Sequence, residues 1–451
     1  MKKYSAGLVA VALILAVMLV MLVSAFKPIN SLIKPPKVEG ENLDIQVAFE
    51  KYAGNNYLLK QPIKGDYRSA YTFIDLDGDD DNEVIVFYSD TSEIDIVRMN
   101  VLDKVNDEWE SIADFKSLHN QIQEIEFADL NGDKYKEIIV GWATYQDDYS
   151  KLMSVYKISS VSDEVSIESV FDDSYSLFRV IDIDCDGKKD ILNLKYFATG
   201  NSAEYRAAYL SYETNGIIEK GSTVLDRSIS SVTAVTSDYT KDSNIRRIYI
   251  DGYKVDSGMA TDCFSWDGEN NEFRRYLIDG MTVSAVTSRS TSVMCADINS
   301  DGVIEMPTEE FLPGSNIISA ERTQSLPQSL TKWVQLQGER AETIEYHLIN
   351  SAGSYSFVFD KDWLGKITVE NNTESGILTF CELKNENNQL VMGTPYFSIK
   401  AVPQDESVSY FTSNYDYLDS GNSLYYYYRI FNAGDDFGIT RKIIEKSMIM
   451  G

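Results

Sequence analysis

Residues 73–88 read FIDLDGDDDNEVIVFY, and residues 127–142 repeat their pattern as FADLNGDKYKEIIVGW. Each stretch is an acidic loop followed by apolar, β-favouring residues, the pattern of a tight turn leading into a strand. A third copy, VIDIDCDGKKDILNL, spans 180–194, and a fourth, CADINSDGVIE, spans 295–305. Between them SDYTKDSNIRRIYI at 237–250 keeps the place and the following strand but loses the acidic pattern. The first loop residues are Asp75, Asp129, Asp182, Asp238 and Asp297, at successive intervals of 54, 53, 56 and 59. A period this regular is a module length.

Each interval holds several short alternating or apolar segments separated by polar turns, for example 93–102 and 109–115 after the first loop. Four short strands per module is the content of a β-propeller blade, so the expected fold class is all-β. Helical periodicity is weak here; the best helix candidate is 43–52, just before the first module.

In each intact loop oxygen-bearing side chains fall at positions one, three, five and nine. They are Asp75, Asp77, Asp79 and Glu83 in loop one and Asp129, Asn131, Asp133 and Glu137 in loop two. Loop three has Asp182, Asp184, Asp186 and Asp190, and loop four has Asp297, Asn299, Asp301 and Glu305. Alternate positions of a tight loop converge on one point, and a hard cation taking about six to eight oxygens suits such a ring. Calcium is the expected metal, because magnesium demands stricter geometry and keeps more of its water. Gly78, Gly132, Gly187 and Gly302 supply positive-φ freedom where the chain folds round the ion. Asp, Asn and Gly also favour ordinary surface turns, but four loops with one ligand spacing, each followed by a strand, argue for metal. An EF-hand does not fit. Its bidentate Glu stands at position 12 between helices, whereas here the acid is at position nine and strands follow.

Acidic loops of the form Asp-x-Asp-x-Asp-x-x-x-Asp/Glu between short strands resemble the FG-GAP/VCBS repeats of integrin-alpha-type propellers, over residues 65–350 or so. The resemblance implies a calcium ion between the first two strands of a blade and a ligand-binding disc. The module at Asp238 has Lys241, Arg246 and Arg247 where ligands would stand, so no metal is carried over to it. The expected organisation is an N-terminal segment and spacer at 1–40, a propeller with five recognisable blades at 41–350, and a C-terminal β-rich domain or closing blades at 351–451. Candidate strands in the last part are 343–349, 354–360, 366–370, 376–383 and 396–402. Asp360 and Asp362 form the trace of a decayed sixth loop. The tyrosines 425–428 read as one strand with alternate faces buried, or as an aromatic ledge for a glycan or peptide.

Forty-one basic against 70 acidic residues in 451 give a net charge of −29, which opposes binding to nucleic acid or to an anionic lipid surface. Lys2 and Lys3 precede an uncharged, mainly apolar run at 7–26, long enough to cross a bilayer core of about 30 Å. The lysines stay inside, so the rest of the chain is expected to be extracytoplasmic. It is anchored by 7–26, or secreted if cleaved after Ala25. Pro28, Pro35 and Pro36 then make an extended spacer. Cys185, Cys263, Cys295 and Cys381 are far apart with no CxxC pair, which indicates neither a zinc ribbon nor a dense disulfide framework.

No catalytic centre is nominated. There is no serine nucleophile elbow, and the two histidines, His119 and His347, stand alone in sequence. The expected function is a calcium-stabilised binding or scaffold protein recognising a protein or glycan at the cell surface. The alternatives are an envelope accessory factor and a propeller-based hydrolase or lyase.

Overall fold

The computed structural model describes residues 40–450, apart from 145–146, 162–163, 200–201, 215, 241–243, 317–326, 373–374, 405–413, 422 and 432–437. The apolar run 7–26, the cleavage position after Ala25, the proline spacer and Lys241 lie outside the described residues. Among the described residues no helix is long and apolar enough to cross a membrane. The chain divides into two compact units: Met1–Glu124 with Ile158–Glu168, and Ile125–Lys157 with Ser169–Gly451.

The fold is all-β and built from antiparallel sheets, none of them closed. In the first unit a five-stranded sheet combines Tyr57–Leu59, Tyr71–Ile74, Glu83–Asp90, Arg98–Val105 and Glu108–Lys116. The strand Arg98–Val105 starts later than the alternating sequence at 93–102 suggests. Asp90 accepts hydrogen bonds from the Ser92 backbone N–H (2.7 Å) and hydroxyl (2.6 Å), which turns the chain there and delays the strand to Arg98. The expected helix is present as α1, Glu41–Ala53, with Glu41 and Asp44 in its first turn and Lys51 in its last, in accord with the helix dipole. Its buried residues Ile45, Ala48 and Phe49 fall at helical spacing, and Phe49 meets Tyr57 and Tyr88 edge-on at 4.9 and 5.0 Å.

The second sheet orders Gln121–Ala128, Glu137–Thr144, Asp147–Val161 and Glu164–Tyr175 as a meander. The third is Leu177–Ile181, Asp190–Thr199, Ser202–Glu213 and Gly216–Val224; the fourth is Ile229–Thr240, Ile245–Lys254, Met259–Asp267 and Glu272–Arg275. The fifth runs Glu305–Phe311, Ser329–Gln337, Arg340–Asn350 and Tyr355–Val358, and gains Met448–Met450 from the end of the chain. The sixth orders Ile367–Asn372, Ile377–Glu386, Gln389–Pro403, Leu424–Ile430 and Asp416–Ser420.

Within the second unit the sheets share apolar layers in sequence order. Ile139 and Val155 of the second sheet pack with Phe178 and Leu210 of the third. Leu192 and Tyr209 of the third pack with Ile248 and Phe264 of the fourth. Tyr249 and Cys263 of the fourth meet Met306 and Val334 of the fifth. Leu348 and Phe357 of the fifth meet Phe380, Phe397 and Tyr426 of the sixth. Strands buried along nearly their whole length differ in sequence: Glu83–Asp90 is continuously apolar over Val84–Tyr88, whereas Met259–Asp267 buries Thr261, Asp262 and Ser265 among its apolar residues.

The tyrosine run is a strand, as expected. Tyr426 and Tyr428 enter the fifth-to-sixth layer, while Tyr427 packs edge-on against Tyr417 at 5.8 Å. Phe380 is fully buried and stacks on Phe397 with ring centroids 4.2 Å apart. Phe380→Ala is expected to lower the stability of the second unit by about 3–5 kcal/mol, measured as the shift of its urea transition.

Candidate metal loops

Each of the four acidic loops occupies the mouth of a hairpin, and its ninth residue opens the second strand. Ile74 pairs with Glu83, Ile181 with Asp190, and Ala296 with Glu305. Glu137 likewise begins its strand beside Gln121–Ala128. That placement buries the ninth carboxylate: Glu83, Glu137, Asp190 and Glu305 are at most 5% exposed.

The four ninth residues make one common bond. Each accepts the backbone N–H of loop position two: Leu76 to Glu83 (2.6 Å), Leu130 to Glu137 (2.9 Å), Ile183 to Asp190 (2.9 Å) and Ile298 to Glu305 (2.9 Å). The residue at position two is always Leu or Ile, pulled towards the core beside the acid it serves. Positions three and five repeat as faithfully. The side chain at three accepts the N–H of five, and the side chain at five accepts the N–H of seven, in all four loops. These bonds wind the backbone round the side-chain oxygens.

The winding requires left-handed backbone at two places, positions four and six. Glycine takes one of them in each loop, and another residue takes the second. Gly78 and Asp80 serve loop one, Gly132 and Lys134 loop two, Cys185 and Gly187 loop three, Ser300 and Gly302 loop four. The expected glycines therefore have the expected conformation, and each is matched by a strained neighbour.

In loop one, carboxylate oxygens of Asp75, Asp77 and Glu83 lie within 4.8 Å of one another; in loop three those of Asp182, Asp184 and Asp190 do the same. Loops two and four carry Asn at position three. Its amide donates to the ninth acid, Asn131 to Glu137 at 2.6 Å and Asn299 to Glu305 at 3.2 Å. Three carboxylates at such range repel unless a positive charge or a proton sits among them. Burial, reinforced by the neighbouring loop acids, pushes Glu83, Glu137 and Asp190 up to about 7. Burial likewise raises Glu305, and burial with the Asp79 charge raises Asp77. Oδ1 of Asp182 is buried and accepts no hydrogen bond. An oxygen-only donor set with a buried orphan acceptor and mutually repelling acids fits a hard divalent cation.

Sequence reasoning did not find the groups that reach three of the loops from the strand following the one the ninth residue opens. Lys157 donates to Asp133 at 2.9 Å, Tyr209 donates to Asp184 at 2.7 Å, and the Gln335 amide donates to Asp301 and Glu305 at 2.8 and 2.5 Å. Their signal lies in strand register, which the loop motif does not contain.

The module at Asp238 is built differently. Asp238 is 4% exposed and is gripped by the Arg247 guanidinium, Nε to Oδ1 at 2.8 Å and Nη2 to Oδ2 at 2.6 Å. The Tyr249 hydroxyl and the Ile304 backbone N–H complete its shell at 3.0 Å each. A protein cation thus holds the acid. The other nominated groups have ordinary places: His347 is buried, 2.9 Å from Glu345 and edge-on to Trp333. Asp360 caps the short turn Lys361–Trp363 by accepting the Asp362 N–H at 2.8 Å.

Breaking a buried ion pair from one side strands the other charge. Arg247→Met or Asp238→Asn is therefore expected to cost about 3–5 kcal/mol, by the same amount in calcium and in chelator, in equilibrium unfolding. A cost that appears only in calcium would contradict this role. Comparison with protein-family models and with curated proteins finds no match to this chain.

Proposed function

We propose that the chain is a calcium-stabilised, extracytoplasmic binding or scaffold protein, a β-propeller of FG-GAP/VCBS-type blades that recognises a protein or glycan at the cell surface. The observation that carries this reading is the common frame of the four hairpin mouths, each with a buried ninth acid tied to the second N–H. The propeller reading is supported by the four-stranded meanders that share apolar layers in sequence order. The net charge of −29 supports cations as partners and speaks against nucleic acid.

The ion would be held by Asp75, Asp77, Asp79 and Glu83, by Asp129, Asn131, Asp133 and Glu137, by Asp182, Asp184, Asp186 and Asp190, and by Asp297, Asn299, Asp301 and Glu305. When bound, it supplies positive charge that cancels their mutual repulsion and fixes the hairpin mouths. The chain's own residues prepare the sites through the turn bonds at positions three and five, which orient the side chains before any ion arrives. Rigid mouths on successive sheets would in turn hold a rim of connecting loops in place for a partner.

An ion that binds only the native state stabilises it, by about 2.7 kcal/mol for one site at a hundred times its dissociation constant. The melting midpoint of the full-length chain is expected to rise clearly in millimolar calcium over chelator. An unmoved midpoint would reduce the loops to turn-formers and remove the main support for the binding reading.

A further inference from the structure

The loop motif makes the four mouths look alike, but the strand beyond them does not. In each sheet that carries a loop, the strand that follows runs antiparallel to the one the ninth residue opens, so one of its residues stands opposite the ninth loop position. In the fifth sheet the pair is Glu305 and Gln335. One step beyond the pairs Val84–Leu102, Ile138–Tyr156 and Ile191–Leu210, the register sets Glu83 against Asp103, Glu137 against Lys157 and Asp190 against Ser211.

All four of these residues act on their loops. The Asp103 charge is felt by both Glu83 and Asp77. Lys157 forms an ion pair with Asp133 at 2.9 Å, with about a third of each side chain exposed. The Ser211 hydroxyl bonds to Asp190. The Gln335 amide spans Asp301 and Glu305. One register position therefore carries an acid, a base, a hydroxyl and an amide.

We propose that this facing residue grades the calcium affinity of the loops, and that Lys157 makes loop two the weakest site by placing an ammonium on one of its ligand carboxylates. The inference rests on the metal reading above. Charge count tunes calcium sites strongly. Loop one sets four acids and Asp103 round the ion, and loop three sets four acids and a neutral hydroxyl, with the Arg246 guanidinium on its Asp182 carbonyl. Loop four has three acids and an amide that must give up its two bonds to them, and loop two has three acids offset by Lys157. One unit charge at contact range of a divalent ion, near a protein surface, changes affinity by about tenfold or more.

The resulting order puts loop one first and loop two last. A chain exposed to falling calcium would empty loop two first, while the Lys157–Asp133 pair keeps its mouth closed.

The test is equilibrium dialysis of the full-length chain against radioactive calcium, with Lys157→Gln and Asp103→Asn compared with the unaltered protein. Lys157→Gln is expected to tighten the weakest step about tenfold, and adding Asp133→Asn should abolish that gain. Lys157→Arg, which keeps the charge, should keep that step weak. Asp103→Asn should weaken a tight step by about tenfold. Isotherms that are superimposable for the unaltered chain, Lys157→Gln and Asp103→Asn, with calcium still bound, would overturn the grading and leave the metal reading standing. No calcium bound by any of them would overturn both.

Discussion

Burying a carboxylate at the start of a strand is the constraint on which the loops depend. Removing a charged carboxylate from water costs several kcal/mol after relaxation. At Glu83, Glu137, Asp190 and Glu305 the second-position N–H offsets part of that cost. One neutral donor is not enough, which is why burial leaves three of these groups near 7. The remainder falls to whatever positive charge the mouth can gather. Each loop is a local solution to that demand: Asx-type turns at three and five bring more oxygens in, and paired left-handed residues at four and six let the backbone close round them.

The Asp238 module solves the same demand from within. Its first-position acid is buried where Asp75, Asp129, Asp182 and Asp297 are only partly so, and Arg247 pairs with it, its planar fork matching the carboxylate. The neighbouring Arg246 points the other way along the strand and donates to the Asp182 carbonyl of loop three at 2.5 Å. Arg247 meanwhile reaches the Leu336 carbonyl of the fifth sheet at 2.7 Å. Two adjacent arginines thus tie the fourth sheet to the loop of the third and to a strand of the fifth. Lys157 at loop two is a milder form of the same device, one ammonium on a more exposed acid.

Much of this was legible in the residues. The period, the ligand spacing, the four glycines and the strand after each loop follow from local chemistry, and the structure puts each where the sequence points. The candidate strands from 343 onward all fall on observed strands, because every second residue, as in Tyr355, Phe357 and Phe359 or Leu378 and Phe380, enters the core. Other features depend on register or on distant partners. Cys185 and Ser300 adopt positive φ because the turn bonds of the loop require it at position four, not because of their own preferences. Arg247 read as a missing ligand, whereas its place opposite Asp238 depends on the hairpin pairing of those two residues. Met448–Met450 is too short to carry a periodicity and is a strand only because Tyr355–Val358 offers it an edge. The sixth sheet has no acidic loop to announce it, since its entry turn is capped by Asp360 alone.

On the proposed reading, four hairpin mouths hold calcium and a fifth holds arginine in its place. Anomalous diffraction from crystals grown in calcium, collected at long wavelength, locates the ion directly. The account predicts peaks beside Glu83, Asp190 and Glu305, a peak beside Glu137 at high calcium, and none beside Asp238. Crystals with no peak at any loop, or with a peak between Asp238 and Arg247, would contradict it.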